Sequence, residues 1–239
     1  MDMHTHTDNS PDGNHSTMYL CECAEQTGLR AIAFTDHCEV DAYYKDHYDR
    51  AAFQAYFEVV KARSVFRGRL IVAAGIELGQ PAYDPALAEH ILSKFDYDVV
   101  IGSVHNLRGR KDFYFMEYDG FTDSDLDAMV EEYLKELLTM VQWGGFDILA
   151  HLTYPACATW SVKNHRNIDL NRHSDLIDEI LRQAARSGKA LEINTSGLRQ
   201  PLGETLPTLP YVRRFRWNLG RICNRRVRRT LCGRSQAKG

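Results

Sequence analysis

Short apolar runs alternate with longer amphipathic stretches along most of this chain. Short apolar runs predict strands, first one that ends at Thr7 and then those at 31–34, 70–74, 97–102, 146–150 and 190–194. The β-branched residues of the run at 97–102 predict a strand covered on both faces. Apolar residues at helical spacing predict helices from Ser16 to near Gly28, from 49 to about 67, and over 85–94, 123–142 and 173–186. This alternation is typical of an α/β fold with a parallel sheet and crossover helices, either open or closed into a barrel.

Acidic and histidine residues recur where the predicted strands end. His4 and His6 stand at alternate positions of an extended segment, so their side chains point to the same side and can bind one metal ion. The later runs end in Thr35-Asp36-His37, Gly75-Ile76-Glu77, Gly102-Ser103-Val104-His105 and Leu149-Ala150-His151. Because barrels assemble their active sites at the carboxyl ends of strands, this placement favours the barrel.

The residue types at these positions favour a metal cluster. Imidazole nitrogens and carboxylate oxygens without thiolates favour zinc, iron or manganese, and six or more ligands exceed what one tetrahedral ion requires. Paired ions suit phosphoester hydrolysis, because one can generate hydroxide at neutral pH while its neighbours neutralise the charge on the phosphoryl oxygens. Glu77 is the natural bridge between two ions, and Asp36 could either bind metal directly or orient an imidazole.

Composition narrows the class of protein. The 239 residues suffice for one sizeable core, and we favour a single domain. The chain lacks an apolar run near the ~20 residues that span a bilayer, and residues 1–4 do not resemble a secretory signal, so a cytoplasmic location is predicted. The six cysteines include no Cys-x-x-Cys pair and are interpreted as reduced thiols. Without a glycine-rich phosphate loop, a Walker or Rossmann nucleotide site is not expected.

These motifs together resemble the polymerase and histidinol phosphatase (PHP) superfamily, most closely its histidinol-phosphate phosphatases. The resemblance covers residues 2 to about 216, and the remaining matching features are Ser10-x-Asp12-Gly13 and Leu191-Glu192-Ile193-Asn194-Thr195-Ser196-Gly197-Leu198-Arg199. It implies a distorted (β/α)7 barrel with a trinuclear metal centre. It also implies hydrolysis of L-histidinol phosphate to L-histidinol and phosphate, a reaction of histidine biosynthesis.

The resemblance carries over residue by residue to the metal ligands. Two of the ions would be held by His4, His6, Glu77 and His105, and the third site would be completed by Asp12, His37 and His151. Glu77, His105 and Asp36 are the residues predicted to take part in catalysis. For Asp12 a plain role as a turn aspartate is the alternative.

Two arginines follow predicted strands and are candidates for binding the substrate phosphate. Arg108 lies after the fourth strand and Arg199 after the sixth. A guanidinium group can bind two phosphate oxygens at once, so either residue could clamp the substrate. An ordinary surface salt bridge is the alternative for each.

Two other functions compete with histidinol phosphate hydrolysis. The same metal centre could act on other phosphoesters, such as nucleotides or nucleic-acid ends, although the acidic character of residues 1–204 argues against a polyanionic substrate or a nucleic-acid partner. The chain could also be a truncated, non-catalytic metal-binding protein. A small-molecule phosphomonoester is the preferred substrate, and no membrane contact is expected.

The third possibility arises from the C-terminal residues. Residues 205–239 contain ten Lys and Arg and no acid, and the Gly-Ser-Asp-x-His motif of the family's seventh strand is missing. We therefore predict a PHP barrel over 1–216 that lacks its last strand, followed by an aberrant, poorly ordered basic tail over 217–239. A shifted reading frame near codon 216 is the preferred explanation, with a native nucleic-acid-binding tail as the alternative. Loss of the motif predicts weak activity or none.

Overall fold

The computed structural model describes residues 1–156 and 168–217. Most of the predicted basic tail, from 218 on, therefore lies outside the described residues, as does the segment in which the sequence predicts that the family's last strand is missing. The described residues form two compact units, of which the first comprises 1–102 with 145–147 and the second 103–144 with 148–217 apart from the undescribed stretch. Within the described part of the chain, no helix is both long and apolar enough to cross a membrane.

The first unit is built on parallel strands. β1 (Asp2–Thr5), β2 (Ala31–Phe34), β4 (Ile71–Gly79) and β5 (Val99–Ser103) lie side by side in that order, and the short β3 (His37–Glu39) also pairs with β4. β2 pairs with the first half of β4, where Phe34 lies opposite Ala74, and β3 pairs with its second half, where His37 lies opposite Glu77. The chain is thus held beside β4 twice, on either side of Thr35 and Asp36.

β4 extends five residues beyond the predicted end at Ala74, and β3 was not predicted at all. The extension depends on Gly75, where a Cβ atom would lie only 2.6 Å from the Thr35 side chain and 2.7 Å from that of Val99. Glu77 N–H donates to the carbonyl oxygen of Asp36 at 3.0 Å, which links the break between β2 and β3 to β4. Asp36 and Glu77 therefore keep their positions relative to each other, because their backbone groups are hydrogen-bonded.

Helices cover the strands of the first unit and close its core. α1 (Thr17–Gln26) begins where the Ser16 hydroxyl accepts a hydrogen bond from the Tyr19 amide, and it is followed by Gly28 with φ of 76°, as the sequence predicted. The other helices are α2 (Tyr48–Val65) and α3 (Pro85–Ser93). The core between α1, α2 and the strands consists of buried residues that include Cys21, Ile32, Phe34, Val59, Ala62, Phe66 and Val72.

The main elements of the second unit among its described residues are three α-helices and a pair of strands, and residues 154–156 are also helical. The main elements are α4 (Asp123–Trp143), β6 (Ile148–Leu149), α5 (Ser174–Arg186), β7 (Ala190–Leu191) and α6 (Leu209–Trp217), with β6 parallel to β7. Thr122 and Asp125 form a capping box at the start of α4, and Gly144 ends it with φ of 72°. Both strands are shorter than predicted. The chain leaves the regular ladder at Glu192, whose carboxylate accepts a hydrogen bond from the His151 amide.

Candidate metal centre

The paired strands of the first unit bring four predicted ligands together. His4 and His6 lie in and just beyond β1, while His37 and Glu77 lie opposite each other in the register of β3 and β4. Glu77 is completely buried. An ionised carboxylate in that position needs positive charge or several hydrogen-bond donors around it, because burial removes the water that would solvate it.

Imidazole nitrogens surround one oxygen of Glu77. Glu77 Oε2 lies 3.3 Å from His4 Nε2 and 3.2 Å from His6 Nε2, and these two nitrogens are 3.1 Å apart. His37 Nδ1 also lies 3.0 Å from the same oxygen. The Nε2 atoms of His4 and His6 and the Oε2 atom of Glu77 therefore form a nearly equilateral triangle.

The size of this triangle fits a metal ion. Ligand atoms at about 2.0–2.1 Å from a tetrahedral zinc ion are separated by roughly 3.3 Å, from the geometry of the tetrahedron. The three separations of 3.1 to 3.3 Å match that value. The donor set of His4, His6 and Glu77 can thus occupy three corners of a tetrahedron and leave the fourth open.

A second group of ligands adjoins the first. His6 Nδ1 lies 2.9 Å from Asp12 Oδ1, and His37 Nε2 lies 3.7 Å from the same oxygen. His6, Asp12 and His37 are close enough together to hold an ion. A neutral imidazole has only one lone pair, so His6 can bind one ion while its other nitrogen donates a proton to a neighbouring acceptor.

The pKa values of the site reflect its excess of negative charge. Burial alone would lower the pKa of His6, but hydrogen bonds with Asp12 and Glu77 outweigh burial and raise it. Burial would likewise raise the pKa of Asp12, yet hydrogen bonds with His37 and His6 lower it far below its usual range. The carboxylates therefore favour positive charge among the imidazoles, and a divalent cation can supply that charge in place of protons.

The loop that carries Asp12 is anchored by Asp36. Asp36 Oδ1 accepts hydrogen bonds from the Thr7 amide and from the Ser10 hydroxyl, both at 2.7 Å, and Asp36 Oδ2 accepts from the Thr7 hydroxyl at 2.9 Å. The Ser10 hydroxyl oxygen in turn accepts from the His37 amide at 3.0 Å. All three side chains of this network are buried. The network joins the end of β1, the loop and the start of β3.

Gly13 closes this loop through a contact that no side chain could make. A Cβ atom at Gly13 would collide with the carbonyl oxygen of Thr7. The Gly13 amide donates to the Ser10 carbonyl at 3.1 Å, and the Ser10 amide donates to the Thr7 carbonyl at 3.0 Å. The predicted turn at Ser10-x-Asp12-Gly13 is therefore a compact loop, and it holds Asp12 beside His6.

The second unit brings together two further predicted ligands. His105 Nε2 and His151 Nε2 are 3.4 Å apart, and both residues are buried. The Tyr154 ring lies against them, with centroid distances of 5.3 Å to His105 and 4.9 Å to His151. Tyr154 donates a hydrogen bond from its hydroxyl to Asp112 at 2.9 Å, which fixes the ring. The histidine nitrogens again have the separation expected of two ligands on one ion.

The predicted phosphate-binding arginines lie in the second unit, and both are exposed. Arg108 follows the segment that carries His105, and it lies close enough to Glu136 to lower the pKa of that carboxyl, although burial, the larger effect, raises it overall. Arg199 ends a short 3-10 helix over Ser196–Arg199. Their role in binding phosphate stays a prediction.

Residues that the sequence did not single out also belong to these clusters. Glu39 places Oε1 3.1 Å from His37 Nδ1, and Tyr154 packs on the histidine pair of the second unit. Glu39 stands two positions after His37, which would have placed it on the same face had β3 been recognised as a strand. Tyr154 was missed because the sequence predicted a loop from Thr153 on, whereas residues 154–156 are helical.

The sequence is similar to one family of known proteins. The model of the PHP domain family matches residues 2–196. The probable histidinol-phosphatase of Deinococcus radiodurans is 29% identical over 216 residues, which cover 89% of this chain and 79% of that protein. The histidinol-phosphatase of Lactococcus lactis subsp. lactis is 28% identical over 201 residues, covering 82% of this chain and 71% of that protein.

A solved structure shares the fold. It is the histidinol phosphate phosphatase of Lactococcus lactis in complex with zinc, L-histidinol and phosphate, which superposes with a TM-score of 0.74 at 24% identity and covers 98% of this chain and 93% of that chain. This likeness confirms the predicted α/β fold of the PHP type. Since the family model extends over most of the sequence and the fold agrees with it, the chain belongs to the PHP domain family.

Proposed function

We propose that this chain is a metal-dependent phosphomonoesterase that hydrolyses L-histidinol phosphate to L-histidinol and phosphate, a reaction of histidine biosynthesis. The observation that carries the proposal is the triangle of His4 Nε2, His6 Nε2 and Glu77 Oε2, with sides of 3.1 to 3.3 Å. The names of the relatives and the zinc, histidinol and phosphate bound by the Lactococcus lactis protein support the substrate.

The proposed cofactor is a trinuclear cluster of zinc, manganese or iron. When bound, such ions supply a nucleophile at neutral pH and positive charge for the phosphoryl oxygens. Its proposed ligands are those implied by the family resemblance: His4, His6, Asp12, His37, Glu77, His105 and His151. The donor sets within the first unit support this proposal by their spacing, and Glu77 by its contact with three imidazoles.

The residues of the chain contribute in different ways. Glu77 holds a buried negative charge that neutral imidazoles alone do not offset, so it favours the binding of cations. We assign Asp36 a positioning role, because both of its oxygens accept hydrogen bonds from Thr7 and Ser10. His105 remains a proposed catalytic ligand on the basis of the resemblance.

Arg108 and Arg199 are proposed to bind the phosphate of the substrate. Guanidinium groups bind phosphate oxygens in pairs and keep their charge at any physiological pH. Both side chains are exposed, so a phosphate can reach them from solvent.

The first prediction is that the full chain, loaded with zinc or manganese, releases phosphate from L-histidinol phosphate faster than from nucleotides or single-stranded DNA. Chelation should stop release, and re-addition of metal should restore it, because no protein nucleophile is involved. The measurement is phosphate release at matched substrate concentrations. Faster hydrolysis of nucleotides would contradict the substrate assignment, and release that persists in metal-free protein would contradict the mechanism.

The second prediction concerns the C-terminal residues, whose sequence lacks the Ser-Asp-x-His motif of the family. We expect a shifted frame of the coding DNA downstream of codon 216 to encode that motif. A chain with the frame restored should hydrolyse L-histidinol phosphate faster than the present chain, because two further ligands complete the coordination of the metals. If no frame encodes the motif, the basic tail is native and this prediction is wrong.

A further inference from the structure

We propose that Glu39 is a positioning residue: its carboxylate accepts a hydrogen bond from the Nδ1–H group of His37 and so keeps the lone pair of the ring on Nε2, which can bind the ion proposed between His37 and Asp12. Gly79 contributes to this arrangement, because its lack of a side chain leaves room for the Glu39 carboxylate. The inference rests on the proposed function only in assuming that the first unit binds metal. Neither Glu39 nor Gly79 is among the proposed metal ligands.

Strand geometry places Glu39 on the same face as His37. Both residues belong to β3, where alternate side chains point in the same direction. Glu39 Oε1 lies 3.1 Å from His37 Nδ1, and the Glu39 side chain is only 13% exposed. A carboxylate that is shielded from water and close to a ring nitrogen is a strong acceptor for its proton.

Glu39 and Glu77 both lie near His37 Nδ1, and Glu77 also lies close to His4 and His6 in the candidate metal site. Glu77 Oε2, at 3.0 Å, is the same oxygen that lies 3.3 and 3.2 Å from His4 and His6. An ion bound to that oxygen would neutralise much of its charge and weaken it as a proton acceptor. Glu39 then remains as the acceptor for the Nδ1 proton.

Gly79 explains how the carboxylate reaches this position. In the parallel register of β3 and β4, Glu39 lies opposite Gly79, one repeat beyond the pair of His37 and Glu77. A Cβ atom at Gly79 would collide with Glu39 Oε2, and its three nearest neighbours would all be atoms of that carboxylate. Any other residue at position 79 would therefore displace the Glu39 side chain.

The consequence is a fixed tautomer. A proton held on Nδ1 leaves the lone pair on Nε2, and Nε2 is the nitrogen that faces Asp12, at 3.7 Å from Oδ1. A carboxylate that accepts the distal proton of a histidine ligand also makes the imidazole more basic and fixes the orientation of its ring. Removal of such a partner typically weakens metal affinity by about 10–100-fold.

The test titrates the metal-free full chain with Co²⁺, without substrate, and follows the absorption of the bound ion together with its stoichiometry. We expect Glu39→Ala to weaken one class of site by about 10–100-fold while the number of ions bound at saturation is unchanged. Glu39→Gln should lose less, because the amide oxygen can still accept a hydrogen bond from the Nδ1–H group of His37. Glu25→Ala, which breaks an exposed ion pair with Arg69, is the control and should bind Co²⁺ like the original chain.

A double-mutant cycle with Gly79 separates positioning from a general effect on the strand. Gly79→Ala should weaken Co²⁺ binding in the original chain but cause no further loss in the Glu39→Ala background, since its added methyl group acts on a carboxylate that is no longer there. Thermal unfolding of each metal-free variant checks that the fold is retained.

Three outcomes would overturn the inference. The first is an unchanged Co²⁺ affinity in Glu39→Ala, and the second is additive losses of affinity in the double variant. The third is the loss of one bound ion per chain in both Glu39→Ala and Glu39→Gln. The last would make Glu39 a ligand instead. Because the titration uses no phosphoester, failure of the proposed substrate would leave its result intact.

Discussion

Glu77→Gln should reduce the turnover of L-histidinol phosphate by on the order of 10³-fold or more. Metal ions bound by a phosphoesterase can stabilise transition-state charge by several kcal/mol, and each 1.36 kcal/mol corresponds to a factor of ten in rate. Glutamine has nearly the same shape, but it removes the buried charge on which three imidazoles converge, at 3.0 to 3.3 Å from Oε2. The loss should therefore come from the metals and not from a cavity.

Elemental analysis and phosphate release, measured on the same preparation, check this prediction. Metal content should fall by at least one ion per chain relative to the original protein. Glu89→Gln is the matched control, because Glu89 is an exposed residue of α3 and the same chemical change there should alter neither quantity. A Glu77→Gln protein with full metal content and full turnover would show that Glu77 does not bind the ions.

Asp36→Ala should impair both stability and activity. The buried Thr7 amide and the Ser10 hydroxyl would lose their acceptor, at about 1–3 kcal/mol for each unsatisfied group, so the free energy of unfolding should fall by on the order of 3 kcal/mol. The loop that carries Asp12 would also lose its anchor. A displacement of about 1 Å in a catalytic group can cost about 10²-fold in rate.

Urea unfolding of the metal-free protein and phosphate release by the metal-loaded protein test the two effects. Asp36→Asn should retain more of both, because its Oδ1 atom can still accept from the Thr7 amide and the Ser10 hydroxyl. Asp119→Ala changes an exposed aspartate of the second unit and should leave both quantities unchanged. If Asp36→Ala unfolds at the same urea concentration as the original chain, the network does not anchor the loop.

Several features followed directly from local patterns in the sequence. Ser16 and Gly28 bound α1 as predicted, and Thr122 caps α4, because capping depends on side chains and backbone within a few residues of each other. The alternation of His4 and His6 placed their nitrogens 3.1 Å apart, since the period of an extended strand is itself local. The family motifs were recognised for the same reason, as they are contiguous stretches of chain.

Features that depend on pairing between distant segments were not predicted. β3, the extension of β4 to Gly79, and the position of Glu39 all follow from the register of His37 opposite Glu77. That register depends on the close packing at Gly75 and on the hydrogen bond from the Glu77 amide to the Asp36 carbonyl, and the partners are separated by about 40 residues of chain. Three consecutive residues with Glu at the end carry no strand signal of their own.

Apart from β3, the succession of strands and helices along the chain, the candidate ligands and the family could be inferred from the sequence alone, because each is encoded in neighbouring residues. The arrangement of the residues around the candidate ligands, in contrast, depends on the fold. The tertiary structure showed that Asp36 directs both oxygens to Thr7 and Ser10, and that Glu39 lies beside His37 in the space left by Gly79. Hydrogen-bond direction and steric room depend on strand register and packing, and residue spacing does not specify either of these.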